Sequence, residues 1–257
     1  MFPAGRVWLG IVFVTLHLAV LAPVARAEFY FAGYLGASFT QSSDVEISDN
    51  TTRFFTFGTF STQVSPFSLT LKDVGRETSL MGGGKLGYWF DGFPNLGIEA
   101  DGYHFSPDSE RNNVPITGNI AGVPVPAGTT VSLGANRASI AVLGFHLVGR
   151  LRFLQSSELP NGRLQPYLGV GPAIFFADVS TFGAAHRDTT VGVQALAGLK
   201  VFLSRRVSLF GEYKFSHVSP ELDFFPTITS PTKSTKVTVD LNSHHLYGGV
   251  ALHFDLF

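Results

Sequence analysis

Apolar and polar residues alternate with a period of two in eight stretches of this chain. Successive side chains of a strand point to opposite faces, so each stretch predicts a strand with one apolar face. The clearest begins near Leu241, where Leu246, Gly248, Val250, Leu252 and Phe254 alternate with Tyr247, Gly249, Ala251 and His253. The others are Phe29 to Phe39, Leu80 to Phe90, Leu96 to about Phe105, about Arg137 to Leu154, about Leu164 to Val179, about Thr189 to Leu203, and about Val207 to His217.

The connections between these strands also alternate. The first (Thr40 to Ser79), third (Ser106 to Asn136) and seventh (Val218 to Asp240) are long. The second is a tight Asp91-Gly92-Phe93-Pro94-Asn95 turn, and the sixth is a two-residue turn near Ser204 and Arg205. The fourth, Gln155 to Gly162, is intermediate, and the fifth, Thr181 to Asp188, is short. Long connections at one end and short ones at the other suit an up-and-down barrel with long outer loops. A soluble β-sandwich, the alternative, has no reason to alternate its loops this way. The long loops are polar and turn-rich, as in Val123-Pro124-Val125-Pro126-Ala127-Gly128 and Ser230-Pro231-Thr232-Lys233. Arg53 to Phe60 predicts a hairpin, because aromatic and Thr residues favour strands; an aromatic binding patch is the other reading.

Composition agrees with a membrane barrel. Only 14% of residues are charged, against about 25% in an ordinary soluble domain. The apolar parity of the strands would face lipid and the other parity the lumen. Every backbone group in a bilayer must be paired, so the strands must close a cylinder. At the N-terminus, Arg6, the apolar run Val7 to Leu21 and Ala25-Arg26-Ala27 have the form of a signal peptide over residues 1–27. Residues 28–257 would then be the barrel. Cysteine is absent, so neither disulfides nor thiolate metal sites operate, and a net charge of −1 gives no pointer to nucleic acid.

The inward parity collects Lys85, Glu99, Asp101, Arg150, Arg152, Lys200, Glu212 and Lys214. Charges in so narrow a lumen must pair. The expected result is an ion-pair network that plugs the barrel; the alternative is a gated narrow pore in which Lys or Arg swaps carboxylate partners. His217, Ser219 and Asp240 are the candidate catalytic set, all on the outward parity or just beyond it. A His-x-Ser on a late barrel strand resembles the outer-membrane lipid A deacylase family, whose triad lies on the outer wall. That family typically has Asn after the Ser, where Pro220 stands here. His244 and His245 are adjacent and point to opposite faces, so no metal site is expected from them.

Leu209-Phe210-Gly211-Glu212-Tyr213-Lys214-Phe215, Asp240 through Phe254, and Pro166-Tyr167-Leu168-Gly169-Val170-Gly171 resemble the OmpA-like eight-stranded outer-membrane β-barrel superfamily. The resemblance implies an all-β transmembrane barrel in a Gram-negative outer membrane, inserted by the assembly machinery, with a largely sealed lumen and variable surface loops. It departs at the tail, because family chains commonly stop at the Phe equivalent to Phe254, and Asp255-Leu256-Phe257 follows here. The expected function is structural or surface-interactive through the long loops, without enzymatic activity or cofactor. Outer-membrane lipid, lipopolysaccharide and an extracellular ligand are the expected partners of a monomeric chain. A narrow channel for ions or small solutes and a lipid A deacylase-like enzyme are the alternatives.

Overall fold

The computed structural model describes residues 28–255, except 50–52, 58–59, 65, 110–111, 134–136, 182–183 and 225–234. The signal-peptide expectation, the Ser230 to Lys233 turn and the last two residues lie outside the described residues.

Eight antiparallel strands close a barrel: β1 (Glu28–Thr40), β2 (Ser79–Trp89), β3 (Leu96–Phe105), β4 (Arg137–Arg150), β5 (Leu164–Thr181), β6 (Ala184–Phe202), β7 (Val207–Val218) and β8 (Leu241–Asp255). Each pairs with its sequence neighbours, and β1 meets β8 in a ladder running from Glu28↔Asp255 to Thr40↔Ser243. No sheet edge is left in the cylinder. The parities fall as the alternation predicts. Leu35, Leu80, Ile98, Leu147, Leu168, Val193, Leu209 and Leu246 project outward, while Tyr30, Lys85, Asp101, Gln194, Lys214 and Tyr247 are buried inside. Gly87 is needed beside Tyr30, because a Cβ there would sit 2.1 Å from the Tyr30 ring.

Three boundaries differ from expectation. β4 ends at Arg150, whose N–H is taken by the Asn95 carbonyl; only an isolated Phe153↔Leu164 bridge continues it. Arg152 therefore lies past the strand and outside the lumen network, where its Nη1 reaches Asn161 Oδ1 at 3.5 Å. The fifth connection shrinks because β5 and β6 stay in register to Thr181↔Ala184, with Arg187 Nε 3.0 Å from Asp178 Oδ2 across the ladder. The third difference is larger: much of the described length of the long loops is strand.

Ser43–Asp49 and Phe67–Val74 of the first loop, Asn113–Ile120, Val123–Pro124 and Thr130–Ser132 of the third, and Glu221–Phe224 and Thr235–Val239 of the seventh join in one seven-stranded antiparallel sheet. The Arg53–Phe57 and Phe60–Val64 segments pair as the predicted hairpin. The sheet alternates as well. Val239, Val45, Leu71 and Ile116 are register neighbours in one row, and Val237, Ile47 and Leu69 in the next. Val237 and Val239 pack with Phe175, Val218 and Leu241 at the loop end of the barrel, so one apolar cluster joins barrel and loop sheet.

Candidate functional site

The lumen is filled in layers. At the turn end, β1 places Glu28 where its carboxylate accepts Arg150 Nη1 at 2.7 Å and Asn161 Nδ2 at 3.1 Å, with His253 Nδ1 at 2.6 Å. Arg150 also donates to the Pro94 carbonyl and lies 4.2 Å from the Trp89 ring centroid. In the next layer, Lys85 bridges Glu99 Oε1 at 3.0 Å and Glu212 Oε2 at 2.8 Å. Tyr30 donates to Glu99, and Tyr167 and Tyr247 donate to Glu212. Lys214 and Tyr34 both donate to Asp101. Lys200 stands 3.9 Å from the Tyr30 ring centroid, with Tyr167 and Trp89 also facing it.

Above these, Gln194 donates to Tyr103 at 2.7 Å and Ser216 at 3.1 Å, while its Oε1 lies 2.9 Å from His146 Nε2. An apolar layer of Met81, Phe105, Ile140 and Phe175 follows toward the loops. Among the described residues of the lumen, the buried carboxylates Glu28, Glu99, Asp101 and Glu212 match the buried cations Lys85, Arg150, Lys200 and Lys214 one for one. Neutrality is what a narrow, low-dielectric lumen requires. Seven of the eight network residues expected from sequence come together here, and Arg152 does not. The sequence reading missed Glu28 and His253 and gave no role to the five tyrosines. Inward parity places Tyr30, Tyr34, Tyr103, Tyr167 and Tyr247, but parity names no partner.

Glu99, Asp101 and His146 bring one ligand atom each to within 4.8 Å of one another. They fit a metal poorly. Lys85 and Lys214 already occupy the carboxylates, and a dication beside two ammonium groups in a neutral cluster would be repelled. His245 is buried inside the barrel, whereas His244 projects outward to Tyr213 and Gln41.

The catalytic candidates sit on the outer wall at the loop end. Ser219 Oγ donates directly to Asp240 Oδ1 at 2.5 Å, and His217 Nδ1 pairs with Asn242 Oδ1 at 2.8 Å. In a hydrolase triad the imidazole stands between hydroxyl and carboxylate. Here the hydroxyl is bound to the acid and the imidazole to an amide.

The loop sheet presents its other face to water. Glu221, Thr238, Glu46, Thr70 and Thr117 are register neighbours in one row, and Lys236, Ser48, Ser68 and Asn119 in the next. Lys72 Nζ lies 2.5 Å from Asp44 Oδ2, and the Asp73 N–H donates to the same carboxylate. These hydrogen bonds, chiefly that from Lys72, hold the Asp44 carboxyl below the usual aspartate range.

Residues 12–254 match the family model described as outer membrane protein beta-barrel domain. No curated protein matches the chain. Among solved structures it is similar to Neisserial surface protein A, at 14% identity and TM-score 0.47, covering 90% of this chain and 100% of that one. It is similar to the outer membrane protein OprG from Pseudomonas aeruginosa, at 12% identity and TM-score 0.49, over 90% and 97% of the two chains. Ail, the attachment invasion locus protein of Yersinia pestis, is similar at 11% identity and TM-score 0.36, over 88% and 98%. The family model spans nearly the whole closed cylinder and its loops, so the chain belongs to the outer membrane protein beta-barrel domain family and is an eight-stranded barrel of the bacterial outer membrane.

Proposed function

We propose that the barrel is a sealed anchor and that the loop sheet is its working surface, a platform that binds an extracellular partner. The merging of three separate loops into one seven-stranded sheet carries this reading. Loops that merely close hairpins need no common sheet. One that buries a row of valines and turns a hydroxyl-rich face outward has a defined surface to offer a partner. That face carries Asp44, Glu46 and Glu221 against Lys72 and Lys236, so the partner is expected to be polar and weakly basic. The neutral lumen network beneath supports an anchor without conductance, and the Ser219–Asp240 and His217–Asn242 pairs support a protein without hydrolase activity.

Two measurements test the reading. Proteoliposomes carrying the protein are compared with a variant whose first loop is cut to a short turn, for binding to a panel of glycans, matrix proteins and cells. Equal binding by both removes the platform. Planar-bilayer recording of the refolded protein should show no unitary conductance. Steady conductance would favour a narrow channel, the second reading, which draws support from the position of Lys85 between two carboxylates that it could exchange.

A further inference from the structure

The loop sheet is the barrel wall continued. Its segments Thr130–Ser132, Asn113–Ile120, Phe67–Val74, Ser43–Asp49, Thr235–Val239 and Glu221–Phe224 lie side by side in the order of the strands they extend, β4, β3, β2, β1, β8 and β7. Val239 packs at its barrel end, and Phe67 and Ile120, paired in register, mark its far end. Asn113–Ile120 is eight residues long, about 25 Å of strand, so Ile120 stands clear of the bilayer that holds the barrel.

This far end is apolar. Ile120-Ala121-Gly122-Val123-Pro124-Val125-Pro126-Ala127-Gly128 holds nine residues without a charged, hydroxyl or amide side chain. Ala121 and Gly122, both at positive φ, make a two-residue turn that pairs Ile120 with Val123, and these two side chains stand 48% and 67% exposed. The Arg53–Phe57/Phe60–Val64 hairpin grows from the same end, because Asp49 and Phe67, which flank it, pair with each other. Its sequence carries Phe54, Phe55, Phe57 and Phe60. An exposed apolar patch of this kind marks a contact with a protein or a membrane.

Two properties select the membrane. First, the backbone donors of the tip are spent. The N–H groups of Ala121, Val125 and Thr129 go to the Pro66, Gly118 and Pro126 carbonyls, and Pro124 and Pro126 have none to give. The Thr129 hydroxyl also turns back on the Pro126 carbonyl. Hydrocarbon admits only backbone whose polar groups are paired, whereas a partner bound by strand addition needs free ones. Second, residues 112–136 contain no charged side chain, so the complementary headgroup is one without net charge.

We propose that this far end inserts Ile120, Val123 and Pro124 into an apposed zwitterionic bilayer and so tethers the barrel's own membrane to a second lipid surface. It uses the end of the sheet and does not rest on the polar face.

The chain has no cysteine, so Ala127→Cys gives a single labelling site. The refolded full chain, held in nanodiscs and labelled there with bimane, is mixed with protein-free phosphatidylcholine liposomes. The nanodiscs should float with the liposomes, and brominated lipid in the liposomes, but not in the nanodiscs, should quench the label. Ile120→Asp/Val123→Asp should lower flotation at least tenfold. Both positions are exposed, and heat-dependent gel migration verifies that the barrel is closed; should the double variant fail to close, Val123→Asp alone replaces it. Absence of flotation overturns the proposal. So does flotation that survives the closed variant, that leaves the label unquenched, or that requires an anionic lipid.

Discussion

Replacing Lys214 by Met tests whether the lumen is a sealed ionic core. Met keeps most of the side-chain volume and removes the charge. Lys214 is 0% exposed and Asp101 1% exposed. Without the ammonium, Asp101 keeps one described side-chain donor, Tyr34, in a site where water has little access. Breaking a buried pair from one side costs roughly 3–5 kcal/mol, because the remaining charge is uncompensated. The ammonium also faces the rings of Tyr103 at 4.8 Å and Tyr247 at 5.3 Å, contacts worth about 0.5–2 kcal/mol that are lost as well. At about 1.4 kcal/mol per decade, the folding equilibrium should fall by at least two decades. Urea titration in bilayers, followed by tryptophan fluorescence and gel migration, reads this as a lower midpoint. The double variant Lys214→Met/Asp101→Asn removes both charges and should recover more than half of the loss. A single variant within about 0.5 kcal/mol of wild type would refute the reasoning. Asp101 would then be hydrated, and a hydrated lumen is the starting point of a channel.

Gly171→Ala should block barrel closure, because a Cβ there would lie 1.8 Å from the Phe145 carbonyl oxygen; boiled and unboiled samples should then migrate alike. The Asp44 carboxylate, lowered by Lys72, contributes to loop-sheet order above the usual aspartate range, and that contribution is lost as pH falls through the lowered value. Protection factors around 43–49, taken relative to the intrinsic exchange rate at each pH, should therefore hold at pH 5 and fall only in stronger acid, and Lys72→Ala should move that fall to higher pH. Incubation with lipopolysaccharide should leave the lipid mass unchanged for both wild type and Ser219→Ala; a mass loss with wild type alone would restore the enzyme.

The barrel was legible because its rule is local. A period of two assigns each side chain to lipid or lumen wherever one face is buried, so Tyr30, Lys85, Glu212 and Phe254 could be placed from the chain alone. The loop sheet was harder to see. Its strands are short, and Val45, Ile47, Val237 and Val239 sit among Thr, Ser and charged residues that read equally well as loop. Only pairing between the first and seventh loops, far apart in sequence, turns them into one apolar face.

The same division runs through the site. Alternation by itself determined the eight strands, their parity and seven of the lumen charges, because those follow from strand geometry and the need to pair every backbone group in a bilayer. Tertiary structure decided which charge meets which. It set Lys85 between Glu99 and Glu212, drew Glu28 to Arg150 and His253, left Lys200 to aromatic rings, and put Arg152 outside. Partners across a cylinder depend on closure and register, and these are properties of the whole barrel that no single strand carries.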